Sequence, residues 1–541
     1  MTTDLWTALS EPRSDAHLFT WEGDEFAKTS WRELAHDARG RAGALRDLGV
    51  EAGSPVGCVL TNASVVCSTV LAIWLAGGRV VSLPTLSRGM GVAEYFEQLR
   101  RLCDLVGIDL LLMQREFSSQ LPAELTAQVC DCFMAYEDVR PRAGGPSDPP
   151  AEDEIAFIQF SSGSTNRPKG CQITARAMRR QLEMLADRLN MDAGERGVMW
   201  LPLSHDMGMF GGLLLPWMLG HQATFGSPLR FMRSPRTWFD DCARFAATVT
   251  IGPSFALEVA TKAAMTRPPE RPFPIDKCVI SAERIDRRTL DRAAEVLGPY
   301  GLARSRLVTA YGLAEATLAV TSTIPGEEAR SLAVDPLALY EGRLEPAAGE
   351  NQIHLVSCGR PLDSASVKID GGDTGEILVG SDSLGSGYVG EPARSEAVFT
   401  DRGLRTGDLG ALRDEELFVV GRIDDVLSIG GRQVPATEVE ADLCLRTDVR
   451  PGCCALVDVA TDGHSRVAVV AELREESTDV RKLAAELHRL VARQCGAHVA
   501  ECVFVRRGSL PKSPSGKVQR YRCRALVSSE DHPALLERVT L

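Results

Sequence analysis

The sequence predicts an α/β protein. A large N-terminal domain of two helix-covered sheet units plus a small β-barrel-like unit is followed by a small α+β domain. Three observations lead there. First, residues 31 to 48 (WRELAHDARGRAGALRDL) carry apolar side chains at helical spacing, and the short strands PVGCVL and RVVSLP flank a further helix at 65 to 77, the alternation of a parallel sheet with helices on both faces. Second, after a Pro- and Gly-rich stretch at 140 to 152 the αβ series resumes with a strand at 155 to 160 and a helix near 175 to 190, and continues to about 325. Third, short strands then take over (SVKID, GEILV, LFVV). The run ELFVVGRIDDVLSIGG reads as a hairpin leading into PATEVEADL, where Thr437 and Glu440 have capping-box spacing for a new helix. CALVDVA, RVAVVAEL, a helix near 479 to 494 and ECVFV complete the α+β unit, so the expected domains are 1–422 and 423–541.

A chain of 541 residues exceeds a single core, and 44% hydrophobic with 25% charged residues describes a soluble globular protein. A net charge of −13 argues against nonspecific binding to nucleic acid or anionic membranes, so a polyanionic ligand needs local positive charge. The 15 cysteines include no C-x-x-C pair, which excludes a zinc ribbon or a disulfide framework and points to a reduced cytoplasm. Cys130 with Cys132, and Cys453 with Cys454, read as packing residues. The first residues lack the basic-then-apolar pattern of an export signal, and the longest apolar stretches fall short of the roughly 20 residues a membrane span needs.

The stretch SSGSTNRPKG, residues 161 to 170, concentrates small hydroxyls, glycines and a lysine behind the apolar run IAFIQF. A loop that leaves a strand and enters a helix presents free backbone N–H groups and the positive end of the helix dipole, which suits a phosphate chain. Ser161, Ser162, Gly163, Ser164, Thr165, Lys169 and Gly170 are the expected phosphate-binding residues, with hydroxyls for phosphate or metal-bound water and Lys169 for charge. No G-K-[ST] closes the loop, so it is not a Walker A motif. Ser204, His205 and Asp206 are consecutive, and neighbours in an extended stretch point to different sides, which disfavours a hydrolase triad.

Taken with MWLPLSHDMGM, YGLAEA, GEILVGSDSLGSGY, LRTGDLG, GRIDDVLSIGGRQVPATEVE and LPKSPSGKVQR, this loop resembles the adenylate-forming superfamily over nearly the whole chain, closest to the fatty acyl-AMP ligases and acyl-CoA synthetases. The resemblance implies ATP, Mg2+ and CoA as cofactors and a carboxylic acid or acyl-AMP as substrate. Glu315, with Thr165, would hold magnesium on the phosphates, and a hard oxygen ligand suits that ion. Asp408 and Arg422 would take the ribose, and Ser281, Ala282, Glu283, Tyr311 and Gly312 would surround adenine. His205 would wall the site where carboxylate and ATP meet. Lys517, in a segment with seven basic and no acidic residues between 503 and 524, would bridge carboxylate and α-phosphate. The small domain would swing about Asp424, and Gly430, Gly431 and Arg432 would line the pantetheine path. Behind His205, Met209, Gly211 and Gly212 would form an apolar pocket for a bulky hydrophobic acyl group.

The acceptor divides the family. The segment between YGLAEA and CGRPL looks like the insertion that restrains the small domain of acyl-AMP ligases, which load an acyl carrier protein. Gly430, where those ligases commonly have arginine, looks like a CoA synthetase, and the reading leans to CoA. Asn166, Ser281 and Arg284 depart from the family pattern, leaving open an enzyme that performs only the acyl-AMP to acyl-CoA step.

Overall fold

The computed structural model of the protein describes residues 4–541 apart from 87–90, 119–125, 127–128, 143–146, 162–167, 348–351, 430–431, 462–463, 476, 513–517 and 530–531. Two large sheets carry the N-terminal three quarters. In the seven-stranded sheet, Ile155–Ser161, Arg79–Ser82, Pro55–Cys58, Leu110–Met113 and Cys132–Ala135 run parallel, and Lys169–Thr174 and then Gly387–Tyr388 add antiparallel at one edge. The nine-stranded sheet has a parallel centre of Leu307–Gly312, Lys277–Ser281, Val249–Pro253, Arg196–Met199, Gln222–Phe225 and His17–Glu22. Residues 31 to 48 form the expected helix, Trp31–Asp47, started by a capping box between Ser30 and Glu33.

One hydrophobic core joins the two sheets, and two tryptophans show how. Trp74, in the almost wholly buried helix Ser64–Leu75, donates its indole N–H to the carbonyl of Ala156 in the first sheet at 2.8 Å. Trp31 donates to the carbonyl of His221, beside the second sheet, at 2.7 Å and stacks on Trp217 at 5.0 Å between ring centroids. Each buries a large apolar surface while its polar atom finds a partner. The β-rich unit is a five-stranded antiparallel sheet built on Gly403–Arg413, which pairs with Gly375–Ser381 on one side and Glu416–Arg422 on the other.

Beyond residue 425 a hairpin, Val426–Ile429 with Arg432–Pro435, precedes a four-stranded sheet of Val449–Thr461, His464–Leu473, His498–Val505 and Leu535–Thr540. Helices Ala436–Arg446 and Val480–Cys495 close one face over a core of its own, with Leu443, Val469, Leu487 and Phe504 at its centre. Thirteen of the 15 cysteines are buried and Cys130 and Cys132 are half-buried, and all are free thiols. Among the described residues no helix is long and apolar enough to cross a membrane.

Two local expectations are corrected. The segment after Ile155–Ser161 does not enter a helix: it returns as the antiparallel strand Lys169–Thr174, and helix Ala175–Arg188 begins only after that, its first turn capped by Thr174. The phosphate-loop segment therefore joins two paired strands, and the helix-dipole argument does not apply to it. Thr437 and Glu440 form no capping box either, because the helix begins at Ala436 behind Pro435 with no side-chain cap. Glu440 instead accepts the Leu456 N–H at 2.6 Å and pairs with Arg520, which also reaches Asp425 at 3.2 Å and the Leu456 carbonyl at 2.7 Å.

Arg520 and Glu440 are both buried, and removing one partner of such a pair strands the other charge. Arg520→Met is expected to destabilise the protein by about 3–5 kcal/mol, and Arg520→Met with Glu440→Gln by less, as read from urea unfolding of each variant.

Candidate active site

The sheets, the β-rich unit and the C-terminal unit meet around one cavity of about 1080 Å³. One of its walls stands on the C-terminal ends of two parallel strands, where ligands of open α/β sheets gather. Ser281 ends one strand and is held by its hydroxyl, which donates to the Ala310 carbonyl at 2.9 Å. Ala282 follows at φ +72°, a left-handed conformation costly for a residue with a Cβ, and Glu283 accepts the Phe255 N–H. Neither Ser281 nor Arg284 adopts positive φ, so these departures from the family pattern do not strain the backbone. Tyr311 and Gly312 end the neighbouring strand at a register shift, and a Cβ on Gly312 would overlap the Leu318 carbonyl.

Three groups interlock here. The Tyr311 hydroxyl donates to Asp408 Oδ2 at 2.7 Å, and Arg422 Nε lies 3.0 Å from Asp408 Oδ1. Strand pairing sets Asp408 directly opposite Arg422. Burial, then the neighbouring Asp408 charge, pushes the Tyr311 phenol well above its ordinary pKa, so it remains a donor.

Lys169 and Glu315 face the same cavity. The short strand Gly387–Tyr388 pairs with Cys171 and Gln172 and brings Tyr388 to Glu315, where its hydroxyl donates to Oε1 at 2.6 Å. Lys169 Nζ sits 5.8 Å from the Tyr388 ring centroid. Burial, followed by the Arg394 charge, lowers the Lys169 pKa. A phosphate chain would relieve both effects.

His205 lies on the wall between this region and an apolar branch. Its Nδ1 is 2.5 Å from Asp206 Oδ1, while Ser204 is tied through its carbonyl to Gln159 at 2.9 Å, an arrangement without a serine relay. Asp206 caps the π-helix Met207–Leu214 by accepting the Met207 N–H at 2.7 Å. That helix can lie so close to the preceding chain because a Cβ at Gly208 would overlap the Pro202 carbonyl. Gly211 and Gly212 line the branch, facing Ile251 and Met199. Asp424 reaches the cavity from an exposed turn.

Some expected site residues stand elsewhere. Met209 is fully buried in the main core rather than on the cavity wall. Gly170 is also buried, its carbonyl accepting the Val389 N–H at 2.9 Å, and a Cβ there would come within 2.6 Å of Val389. It serves packing. Ser161 pairs with Lys169 across the strands. Ser162, Gly163, Ser164, Thr165 and Asn166, like Gly430, Gly431 and Lys517, lie outside the described residues, as does the side chain of Arg432.

The sequence reading missed contributors from both sides of the cavity. Tyr388 ends the motif GEILVGSDSLGSGY, and its hydroxyl was the available signal. From the C-terminal unit, Lys512 and Arg520 line the cavity, and Glu438 forms an ion pair with Arg284. Near the far rim Arg522 Nη2 meets Glu94 Oε1 at 2.9 Å.

This geometry defines an enzyme that binds an adenine nucleotide beside an apolar pocket. The chain belongs to the AMP-binding enzyme family, whose model matches residues 6–389, and is an adenylate-forming ligase. It is 29% identical over 470 residues to the long-chain-fatty-acid–AMP ligase FadD32 of Mycolicibacterium smegmatis, covering 76% of this chain and 74% of that one. It is 30% identical over 402 residues to the medium-chain-fatty-acid–[acyl-carrier-protein] ligase JamA of Moorena producens, covering 69% of this chain and 67% of that one. A structure from a study of fatty acyl-adenylate ligases of E. coli and L. pneumophila superposes with a TM-score of 0.88 at 24% identity, covering 98% of this chain and 99% of that one. That likeness establishes the fold.

Two outcomes test the site. Tyr311→Phe removes one hydrogen bond to Asp408 and is expected to weaken AMP binding by about 1 kcal/mol, roughly fivefold, in calorimetry. Burial raises the Glu438 pKa to about 6, against the Arg284 charge. A Glu438 returned to water by parting of the two units would titrate near the usual carboxyl value of 4.5. The docked form thus favours the protonated acid. Its contribution to docking, on the order of 2 kcal/mol, is complete below pH 4.5 and lost as pH rises through about 6. Small-angle scattering at pH 5 and pH 7.5 should show a more closed particle at the lower pH, and Glu438→Gln should abolish the difference.

Proposed function

We propose that the protein converts a hydrophobic carboxylic acid and ATP to acyl-AMP and pyrophosphate, and then passes the acyl group to a thiol. The observation that carries this reading is the single cavity joining Lys169, Glu315 and the Tyr311–Asp408–Arg422 cluster to an apolar branch behind His205. In it Asp408 accepts the ribose hydroxyls, held at fixed geometry by Tyr311 and Arg422. Lys169 lines the cavity and would hold the ATP phosphates, for which residues 162–167 are its expected partners. Glu315 suits a magnesium ion shared with those phosphates, since that ion commonly takes one or two protein carboxylates together with substrate oxygens. Magnesium, when bound, offsets phosphate charge. His205 closes the side on which the carboxylate approaches the α-phosphate, excluding water from the mixed anhydride. Lys517 stabilises the charge that builds up on the α-phosphate.

Domains 1–422 and 423–541 pivot at Asp424 between the two half-reactions in this reading. The acceptor thiol is that of an acyl carrier protein. Support comes from the segment between YGLAEA and CGRPL: its helix Pro336–Tyr340 docks on the C-terminal unit, with Tyr340 buried in that unit's core and Ile353 against it. Such a clasp resists rotation. Gly430 favours a second reading, in which free CoA is the acceptor.

Lys517→Ala is expected to reduce pyrophosphate release at least 100-fold, the usual loss when a preorganised charge partner is removed, while thioester formation from supplied acyl-AMP persists. Unchanged pyrophosphate release would remove Lys517 from the reaction. Mass spectrometry after incubation with CoA or with a phosphopantetheinylated carrier protein separates the two acceptors.

A further inference from the structure

The apolar branch does not end in hydrocarbon. It runs along one face of the nine-stranded sheet, away from the nucleotide, and strand register fixes what lines it. Gly197, Ala223 and Val249 stand level across three parallel strands, and Met199, Ile251 and Val279 lie two residues further on along the same face. These are apolar, and the π-helix covers them through Gly211 and Gly212. Lys277 stands level with Val249, and two steps towards the N-terminal ends the same face carries Glu195 and His221; Lys277, Glu195 and His221 keep only 6%, 8% and 5% of their surface exposed. From the level of His221 to that of Ser281 is six residues, about 20 Å of strand.

Within this buried group the charges are spoken for. Glu195 pairs with Lys277 through one carboxylate oxygen and accepts the Thr248 hydroxyl through the other. His221 differs. Its backbone is fixed, the N–H donating to the Pro216 carbonyl at 2.8 Å and the carbonyl accepting from Trp31 at 2.7 Å. Its ring lines the cavity, and its buried Nδ1 has no hydrogen-bond partner among the described residues. Burial, opposed by Glu195 and aided by Lys277, lowers the imidazole pKa, so the ring is neutral near pH 7. A buried unpaired ring nitrogen is costly, and a methyl group pressed against it leaves the cost standing.

We propose that His221 hydrogen-bonds a neutral polar group at the far end of the acyl substrate, so that the preferred acid carries a hydroxyl or comparable group remote from its carboxylate. This rests on the reading above that the branch holds an acyl chain. A charged tail is disfavoured, because Glu195 and Lys277 already neutralise each other. The π-helix side of the branch selects for an apolar middle, and His221 selects for a polar tip. A site built to bond such a group discriminates strongly against the analogue that lacks it.

The test compares straight-chain acids from octanoic to dodecanoic, each as the methyl-ended acid and as its ω-hydroxy counterpart, by pyrophosphate release with ATP and Mg2+. At the best-fitting length the ω-hydroxy acid is expected to show a kcat/KM about tenfold or more above its methyl-ended partner. His221→Leu should reverse that preference, and His221→Asn, which keeps a polar group, should retain part of it. Equal or better use of the methyl-ended acids by the unaltered enzyme overturns the inference while leaving acid activation intact. No turnover of any acid overturns the proposed function, and the inference with it. If His221→Leu does not fold, the ratio in the unaltered enzyme and in His221→Asn decides.

Discussion

The site depends on a carboxylate that is almost out of reach of water. Asp408 keeps 9% of its surface and lies where the β-rich unit meets the nine-stranded sheet. An isolated charge there would be prohibitive, and Tyr311 from one unit and Arg422 from the other make it tolerable. The two β units are therefore joined by a group that lines the cavity. Distortion of either moves the carboxylate, and Arg422 is the last strand residue before the turn that leads into the C-terminal unit.

Beyond that turn the connection is made mainly of charge. Arg520 gathers Asp425, Glu440 and the Leu456 carbonyl, so the turn, a helix and a strand of the C-terminal unit are held by one guanidinium. Arg284 and Glu438 then meet across the cavity. Apolar contact across the same boundary centres on Tyr340 and Ile353. A large apolar interface would hold one arrangement firmly, whereas buried ion pairs exchange desolvation for attraction at a small net gain.

Much of this was legible beforehand because local pattern and global fold agree. The helix at 31 to 47 announces itself by its apolar spacing, and the buried strand IAFIQF by its apolar run. The failures share one cause, partners distant in sequence. KGCQIT mixes polar and apolar residues and becomes a strand only because Ile155–Ser161 pairs with it, so the loop before it reads as a strand-to-helix turn. Thr437 and Glu440 have the spacing of a cap, but Arg520, 80 residues on, claims the carboxylate. Met209 sits within an apolar helix whose inward and cavity-facing sides no periodicity separates, since a π-helix departs from the usual turn. The polar end of the acyl branch was equally hidden. Glu195, His221 and Lys277 precede or begin three different strands, and only register brings Glu195 level with His221 and sets Lys277 two residues from them on the same face.

The burial of the cysteines has a chemical consequence. Removal from water pushes the thiols of Cys58, Cys358, Cys502 and Cys523 up to about 12. Only the thiolate attacks a disulfide, and at neutral pH these side chains hold almost none. These four sulfurs are kept inert, so disulfide-bearing solutes have little to react with at those positions while the cores stay closed.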